Sequence, residues 1–356
     1  MTSVNNVPTA ASSVAEFDTE EKKRTHMRKI ALEEYFLTKS SLEGPGGDMF
    51  QMGGSVVQAI MGPSGANIMA QLLDLGDQRI SEMDAAGVDV QVLSFTRGLD
   101  SVQGEDEAVN LARNINDQLA TAVELHPTRF VGFATLPTMS PEKSADELER
   151  TVKEYGFKGA MIHGHTRGRY LDDKFFWPIL ARAQELEVPI YLHPAPPPKA
   201  VLEASYSGNY TRDVTMLFST GGWGWHIDPA LHALRMILGG VFDNYPNFQL
   251  VIGHLREALL FMMPRIERAL PQQVTKLNKP IGNCFRENVH YTISDWNYTP
   301  AFLDLFLQVG VDRIMFSADY PYSSLIEDCD FLERLPVSPK DKESIAHGNA
   351  EMLLRI

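Results

Sequence analysis

Several features that mark large classes of protein are scarce or missing in this chain. Only two cysteines occur, Cys284 and Cys329, without a CxxC motif, so we expect a reducing compartment and no disulfide framework. No apolar run approaches the roughly 20 residues that span a bilayer, and the N-terminus lacks the apolar core of a signal peptide. Cationic residues are also few, because 32 Lys and Arg face 46 Asp and Glu, a net charge of −14. Nucleic acids and anionic membranes bind clustered Lys and Arg, so we expect neither as a partner, and we expect a cytoplasmic location.

The remaining composition is that of an ordinary globular protein, with 44% hydrophobic and 22% charged residues. Residues 1–26 are rich in Ser, Thr, Val, Asn and Glu without periodicity, which is typical of a flexible N-terminal arm. From residue 27 onward the pattern alternates between short apolar runs and amphipathic stretches. We therefore expect one domain over residues 27–356, a length that suits a barrel with inserted loops.

Eight apolar runs, most of them continuous, read as parallel strands buried on both faces. They cover residues 29–34, 88–95, 129–136, 158–163, 188–193, 248–253, 288–294 and 312–318. The amphipathic stretches that alternate with them cover residues 67–86, 106–125, 142–155, 174–186, 228–243, 256–274, 300–309 and 341–355. Eight of each predicts an α/β fold, the (β/α)8 barrel. A doubly wound open sheet is the alternative, although no GxGxxG follows any strand.

Two predicted loops are long, residues 37–66 after the first strand and residues 195–226 after the fifth. Long loops at this end of a barrel roof the active site or build a subunit interface. The second loop carries Trp223 and Trp225, which favours an aromatic-lined pocket. The alternative is that these rings pack beneath the loop as a small separate core.

Acidic and histidine residues lie where several of the predicted strands end. They are Glu33, His193, His254, Glu257 and Asp319. Strand C-termini of a barrel converge on one face, so these distant residues can meet there. Burying a carboxylate without compensation is costly, and a divalent cation between Glu33, His193 and Asp319 would satisfy all three. Taken singly, His193 also fits a hydrogen-bonded core histidine, and Glu33 an exposed strand end.

His254 and Glu257 lie three residues apart where the sixth strand meets its helix. This spacing places both side chains on one face of the first turn. Such a pair beside a metal is suited to orient a proton donor or polarise a substrate oxygen. An isolated HxxE is common by chance, so the prediction depends on its position at a strand end.

Beyond these patterns, the chain resembles the amidohydrolase-related aromatic-acid decarboxylases. That group includes γ-resorcylate, 2,3-dihydroxybenzoate, 5-carboxyvanillate and aminocarboxymuconate-semialdehyde decarboxylases. The resemblance covers residues 30 to 356 and includes ALEEYF, PIYLHPA, VIGHLREAL and DRIMFSADYPY. It implies that Glu33, His193 and Asp319 bind the metal, that His254 and Glu257 form the catalytic pair, and that Asp319 also transfers a proton. It also implies a homodimer or homotetramer.

The chain departs from the family pattern at the first strand. Some members carry a histidine two residues after the first ligand, where this chain has Tyr35. If Tyr35 does not bind, oxygen donors dominate the ligand set, which favours Mn²⁺ most, with Mg²⁺ or Zn²⁺ as alternatives. A second departure is Arg256, at a position where relatives commonly have glycine. The arginine side chain either faces a substrate carboxylate or points to solvent.

A further group of residues is predicted to contact the substrate. His163 and His165 form an HxH after the fourth strand, close to Arg167, and surface-loop residues are the alternative interpretation for these three. The complete set of candidates for substrate binding is Tyr35, Arg97, His163, His165, Arg167, Trp223, Trp225 and Asn297.

The predicted function is metal-dependent, non-oxidative decarboxylation of an aromatic carboxylic acid of the ortho-hydroxybenzoate type. Asp319 would protonate the ring before CO₂ leaves, and the metal would stabilise charge on the phenolic oxygen. A metal-dependent hydrolase of a lactone or amide is the alternative on the same barrel. A hydratase and an inactive ligand-binding barrel stay open as further alternatives.

Overall fold

The computed structural model describes residues 26–43, 65–256, 259–294 and 297–356. The predicted arm over residues 1–26 lies outside the described residues except for its last position, and so does most of the first long loop. Glu257, the predicted partner of His254, also lies outside the described residues.

All strands of the described chain pair in parallel. In chain order they are β1 Ile30–Phe36, β2 Val90–Phe95, β3 Phe130–Gly132, β4 Ala134–Thr135, β5 Ala160–His163, β6 Ile190–His193, β7 Leu250–Ile252, β8 Val289–Thr292 and β9 Ile314–Met315. They form one sheet of order β1-β2-β3 and one of order β4-β5-β6-β7-β8-β9. Each strand therefore neighbours the next in sequence, as parallel barrel topology requires.

Backbone hydrogen bonds join the two sheets at both seams. Phe133 separates β3 from β4, and its N–H donates to Leu93 O of β2 at 2.9 Å, so β3 and β4 are one interrupted barrel strand. At the other seam, Leu32 pairs in parallel with Ser317, and the Leu32 N–H donates to Phe316 O at 3.1 Å. The predicted (β/α)8 barrel is thereby confirmed.

Helices cover the outside of the barrel. The α-helices of the described residues are Lys39–Leu42, Gly65–Leu73, Asp77–Ala86, Glu105–Leu125, Pro141–Tyr155, Trp177–Glu185, Lys199–Val201, Arg212–Ser219, Gly224–Leu238, Val241–Asn244, Met263–Ala269, Gln272–Thr275, Ile281–Glu287, Thr299–Val309, Leu325–Arg334, Pro339–Glu343 and Asn349–Leu354. Short 3₁₀ or π turns extend several of them, at Lys174–Phe176, Leu202–Tyr206, His254–Arg256, Leu260–Met262, Val311–Arg313 and Ser344–Gly348. None of the described helices is both long and apolar enough to cross a membrane.

The helix pattern differs from the prediction in several respects. The stretches predicted over 256–274 and 341–355 are each divided into shorter helices, and the helix Arg212–Ser219 lies within a predicted loop. The stretch predicted over 67–86 is two helices, because the second starts afresh after Gly76 and ends at a left-handed Gly87. The helices Ile281–Glu287 and Leu325–Arg334 were not predicted. The second is capped by Ser324, whose side chain accepts a hydrogen bond from the Glu327 N–H.

The strands place the polar residues that follow them. Every residue of β1 and of β2 is buried, and β6, β7 and β8 are buried along nearly their whole length. The barrel interior is therefore filled by side chains, and in this fold active sites lie at the carboxyl ends of the strands.

Candidate metal centre

Four side chains meet at the carboxyl rim of the barrel. Glu33, His193, His254 and Asp319 each offer a ligand atom, and these atoms lie within 4.8 Å of one another. They come from β1, from the end of β6, and from the segments that follow β7 and β9. Two imidazoles and two carboxylates form a donor set that could hold a metal ion.

Three of these four residues have left-handed backbone. The φ angles are 65° at Glu33, 50° at His254 and 61° at Asp319. Glu33 lies at an irregularity in β1, where the pairing with β2 shifts register between Ala31 and Glu34. A bulge of this kind re-aims a side chain, and non-glycine residues with positive φ occur preferentially at functional sites, held by their surroundings.

The Glu33 carboxylate is anchored through one oxygen. Its Oε2 accepts hydrogen bonds from the hydroxyls of Tyr191, Thr292, Ser294 and Ser317. The Thr292 and Ser317 contacts measure 3.4 and 3.3 Å. This side chain is fully buried, and the hydroxyl donors stabilise its charge.

The other Glu33 oxygen faces the two imidazoles. Oε1 lies 3.6 Å from Nε2 of His193 and 3.7 Å from Nε2 of His254. These contacts are too long for hydrogen bonds. They match the separation of roughly 3–4 Å expected of ligand atoms that share one cation through bonds of about 2.1 Å. The residues present therefore fit a divalent metal ion.

Gly253 gives the carboxylate its space. A Cβ at this position would lie 2.9 Å from the Tyr191 hydroxyl oxygen and 3.0 Å from Glu33 Oε2. Any side chain would displace these atoms, so glycine is required here by close approach rather than by backbone conformation.

Burial sets the protonation of the ring groups around the centre. It lowers the pKa of His193 well below its usual range, and the neighbouring His163 lowers that pKa further. His193 is therefore neutral, the form in which an imidazole binds a metal. Burial raises the pKa of Tyr35 and of Tyr191, so both hydroxyls stay protonated and donate to Glu33.

Tyr35 lies at the centre itself. Its hydroxyl donates to Glu33 Oε1 at 3.2 Å, and its ring centroid lies 5.4 Å from that of His193. His254 was predicted to act beside the metal, and the structure places its Nε2 as close to Glu33 as that of His193.

His163 and Arg97 lie beside the centre. The ring of His163 is 4.8 Å from that of His193, and both His163 and Arg97 line a small cavity with Thr138 and Thr166. Burial and the Arg97 charge together lower the pKa of His163 to about 3, which keeps it neutral.

Arg167, His165 and Asn297, which were also predicted to contact the substrate, form hydrogen bonds with neighbouring protein groups. Arg167 donates to the carbonyls of Asp100 and Val102 at 3.2 and 3.0 Å, and Nδ1 of His165 accepts the Gly168 N–H at 3.0 Å. Asn297 donates to Asp328 Oδ1 at 3.0 Å.

The tryptophans of the second long loop differ in exposure, since Trp223 is half exposed and Trp225 is partly buried. His226 follows Trp225 directly in this loop and was not among the predicted site residues. Its ring centroid is 5.3 Å from that of His254, and its Nε2 contacts Gly221 O at 3.1 Å.

The hydroxyl donors around Glu33 were also missed, although a signal for them exists. Side chains two apart on a strand face the same side. Tyr191 is two residues before His193, Ser317 is two before Asp319, and Thr292 and Ser294 continue one face of β8. A search two positions before His193 and Asp319 would have found two of the four donors, Tyr191 and Ser317.

Comparison with known proteins identifies the family of this chain. The amidohydrolase family matches residues 70–356, most of the chain. The chain belongs to this family. A curated relative, the γ-resorcylate decarboxylase of Polaromonas sp., is 34% identical over 341 residues, which cover 92% of this chain and 98% of the relative.

Two solved structures of amidohydrolase relatives are similar over almost the whole chain. The dihydroxybenzoic acid decarboxylase of Polaromonas sp., with bound manganese and the inhibitor 2-nitroresorcinol, is 33% identical, with a TM-score of 0.81 and coverage of 92% of this chain and 96% of that one. The 5-carboxyvanillate decarboxylase of Novosphingobium aromaticivorans, complexed with manganese and 4-hydroxy-3-methoxy-5-nitrobenzoic acid, is 32% identical, with a TM-score of 0.83 and the same coverage. The resemblance inferred from the sequence and the predicted carboxy-lyase class are confirmed.

Proposed function

We propose that this amidohydrolase-family protein is a metal-dependent, non-oxidative decarboxylase of an aromatic acid with a hydroxyl group ortho to the carboxylate. The observation that carries the proposal is the cluster of Glu33, His193, His254 and Asp319 at the barrel rim. The ligands of the two solved relatives support the substrate class. Both 2-nitroresorcinol and 4-hydroxy-3-methoxy-5-nitrobenzoic acid carry a nitro group ortho to a phenol, and nitro is planar like carboxylate.

Glu33, His193 and Asp319 would hold the metal, with His254 near enough to join them. We propose Mn²⁺ first, with Mg²⁺ or Zn²⁺ as alternatives, because manganese is bound in the relatives and two of the donors are carboxylates. When bound, the cation supplies Lewis-acid stabilisation of the charge that develops on the phenolic oxygen.

Asp319 would provide the proton. In its acid form it donates to the ring carbon that bears the carboxylate, and the ring loses its aromaticity. The bond from that carbon to the carboxylate then breaks, CO₂ leaves, and the bonding electrons restore the aromatic ring. Asp319 is left as a carboxylate and regains a proton from solvent, so each turnover consumes one proton and releases one CO₂.

His254 would assist this transfer from its position beside Glu33, and we propose that Glu257 acts with it. Tyr35, His163 and Arg97 would contact the substrate, because Tyr35 and His163 pack against His193 and Arg97 offers a cation beside His163. The cation suits a carboxylate.

The test is a product assay on chelator-stripped protein reconstituted separately with Mn²⁺, Mg²⁺ or Zn²⁺. Each sample meets a panel of ortho-hydroxybenzoic acids, and mass spectrometry follows the loss of CO₂. Metal-dependent formation of a phenol is expected. If no acid yields a phenol while simple lactones or amides are cleaved, the protein is a metal-dependent hydrolase instead.

We further propose that residues 27–356 form a single domain and that the protein is a homodimer or homotetramer. Large apolar side chains exposed on one molecule, such as Leu307 at 80% and Phe261 at 74%, favour burial against a second copy. Free, buried Cys284 and Cys329 are compatible with the proposed cytoplasmic location. Light scattering measures the mass of the assembly, and limited proteolysis tests whether residues 27–356 resist cleavage as one unit.

A further inference from the structure

A network of buried polar side chains lies beside the metal centre and has no part in the proposed chemistry. It consists of Arg79, Gln91 and Glu34, each with no exposed surface. Arg79 belongs to the helix Asp77–Ala86, Gln91 to β2 and Glu34 to β1. Such groups are expensive to bury, so their arrangement requires an explanation.

Direct hydrogen bonds join the three side chains of this network. Nη1 of Arg79 donates to Gln91 Oε1 at 3.2 Å, and Nε2 of Gln91 donates to Glu34 Oε2 at 3.0 Å. The remaining Arg79 nitrogens donate to the carbonyls of Asp74, Gln71 and Tyr35. Four of the five guanidinium N–H groups therefore donate to this interior network.

The network ends on the two segments that carry the carboxylates of the metal centre. Oε1 of Glu34 accepts the backbone N–H of Ala318 at 3.0 Å. Glu34 follows Glu33 in sequence, and Ala318 precedes Asp319. The Glu34 carboxylate thus joins β1 next to Glu33 to the backbone next to Asp319. Glu33 and Asp319 both have left-handed backbone.

Arg79 contacts the same two segments one residue further out. Its Nη2 donates to Tyr35 O at 2.6 Å, and its guanidinium lies 4.7 Å from the ring centroid of Tyr320. The Tyr35 N–H in turn donates to Tyr320 O at 2.8 Å. These contacts all lie where the last barrel strand meets the first.

We propose that Glu34, Gln91 and Arg79 are positioning residues that hold Glu33 and Asp319 at metal-binding separation by joining β1 to the segment after β9. The inference rests on the proposed function in so far as that function requires a metal at this centre. It extends that function, because it assigns roles to three residues that contact neither metal nor substrate.

The network allows a rescue experiment in which the double variant has the same size and the same net charge as the unmutated protein. In Glu34→Gln, the new amide oxygen still accepts from Ala318, but its NH₂ group faces the NH₂ of Gln91, and either orientation of Gln91 leaves two donors opposed. In the double variant E34Q/Q91E, the residue-34 amide donates to the residue-91 carboxylate, which also accepts from Arg79. All three hydrogen bonds of the network are then restored.

The readouts are the Mn²⁺ dissociation constant by isothermal titration calorimetry, the electron paramagnetic resonance spectrum of bound Mn²⁺, and kcat and KM. We expect E34Q to weaken Mn²⁺ binding or kcat by about 10- to 100-fold and E34Q/Q91E to restore most of this loss. Glu147→Gln is the matched control, since Glu147 is buried, accepts from Asn116 and Arg150, and belongs to the outer helix Pro141–Tyr155.

Unchanged Mn²⁺ binding and turnover in folded E34Q would overturn the inference, as would an equal loss in E147Q. If E34Q does not fold, Gln91→Leu, which removes the amide link alone, is measured in its place against the same criteria. Failure of the unmutated protein to bind Mn²⁺, Mg²⁺ or Zn²⁺ would instead overturn the proposed function, and the positioning inference with it.

Discussion

The hydroxyl of Tyr191 donates a hydrogen bond to Oε2 of Glu33, and the other Glu33 oxygen faces His193 and His254. Oε2 is thus held by four hydroxyl donors, whereas Oε1, which accepts the Tyr35 hydroxyl at 3.2 Å, is the oxygen that would face a cation. This division makes a buried carboxylate usable as a metal ligand, because its orientation is determined before the metal arrives.

Removing the Tyr191 hydroxyl should therefore weaken the metal site more than it weakens the fold. For Tyr191→Phe we expect Mn²⁺ affinity to fall by about 10-fold or more and the free energy of unfolding by about 1 kcal/mol. Tyr291→Phe is the control, because Tyr291 is equally buried but donates to the carbonyl of Phe285 at 3.0 Å. Calorimetric titration with Mn²⁺ separates the two, and equal affinities in both variants would contradict the prediction.

Asp319 is expected to be essential for proton transfer. Asp319→Asn keeps the shape of the side chain but removes its acid, so turnover should fall by about 10²- to 10⁴-fold, while metal binding is retained in part through Glu33, His193 and His254. The measurement is CO₂ release at saturating Mn²⁺, with bound metal quantified in parallel. Asp172→Asn, which alters an ion pair with Arg235, is the control. Wild-type turnover in D319N would refute the assignment.

Buried neutral histidines predict acid sensitivity of the fold. Burial lowers the pKa of His232 and of His290 to about 3, whereas an unfolded histidine titrates near 6.5. Between these values the unfolded state binds the additional proton. The free energy of unfolding therefore decreases as pH falls from about 6.5 towards 3, by up to ~1.4 kcal/mol per pH unit for each such histidine.

Urea unfolding at a series of pH values measures this slope. His290→Gln should make the slope shallower below pH 6.5, because one group that gains a proton on unfolding has been removed. A His126→Gln variant controls for the loss of a half-buried ring elsewhere. An unchanged slope in H290Q would show that His290 does not contribute in this way.

The sequence predicted the fold and four of the residues at the centre because strand ends are local signals. Each of Glu33, His193, His254 and Asp319 ends or follows an apolar run, and parallel topology alone brings such ends together. The interruption of one strand at Phe133 and the helix Leu325–Arg334 were not predicted. The interruption depends on packing partners distant in sequence. The helix has local signals that the prediction did not use, namely the Ser324 cap and buried side chains at helical spacing.

The support around the centre could not be predicted for the same reason. Glu34 follows Glu33 directly and has the same side chain, yet it is Glu33, at the register shift in β1, whose carboxylate faces the imidazoles. The partners of Glu34 are Gln91 and the Ala318 N–H, separated from it by 57 and 284 positions. A single sequence gives no indication that these groups meet.

Gly253 provides the most direct test of this geometry. In Gly253→Ala, the new Cβ would lie 3.0 Å from Glu33 Oε2 and 3.1 Å from Oε1. The carboxylate cannot retreat without breaking its hydroxyl contacts, so Mn²⁺ affinity should fall by about 10-fold or more. Gly76→Ala is the matched control, because a Cβ there meets nothing within 4 Å. If G253A binds Mn²⁺ as tightly as G76A, the Glu33 carboxylate is not held where the metal ligands require it.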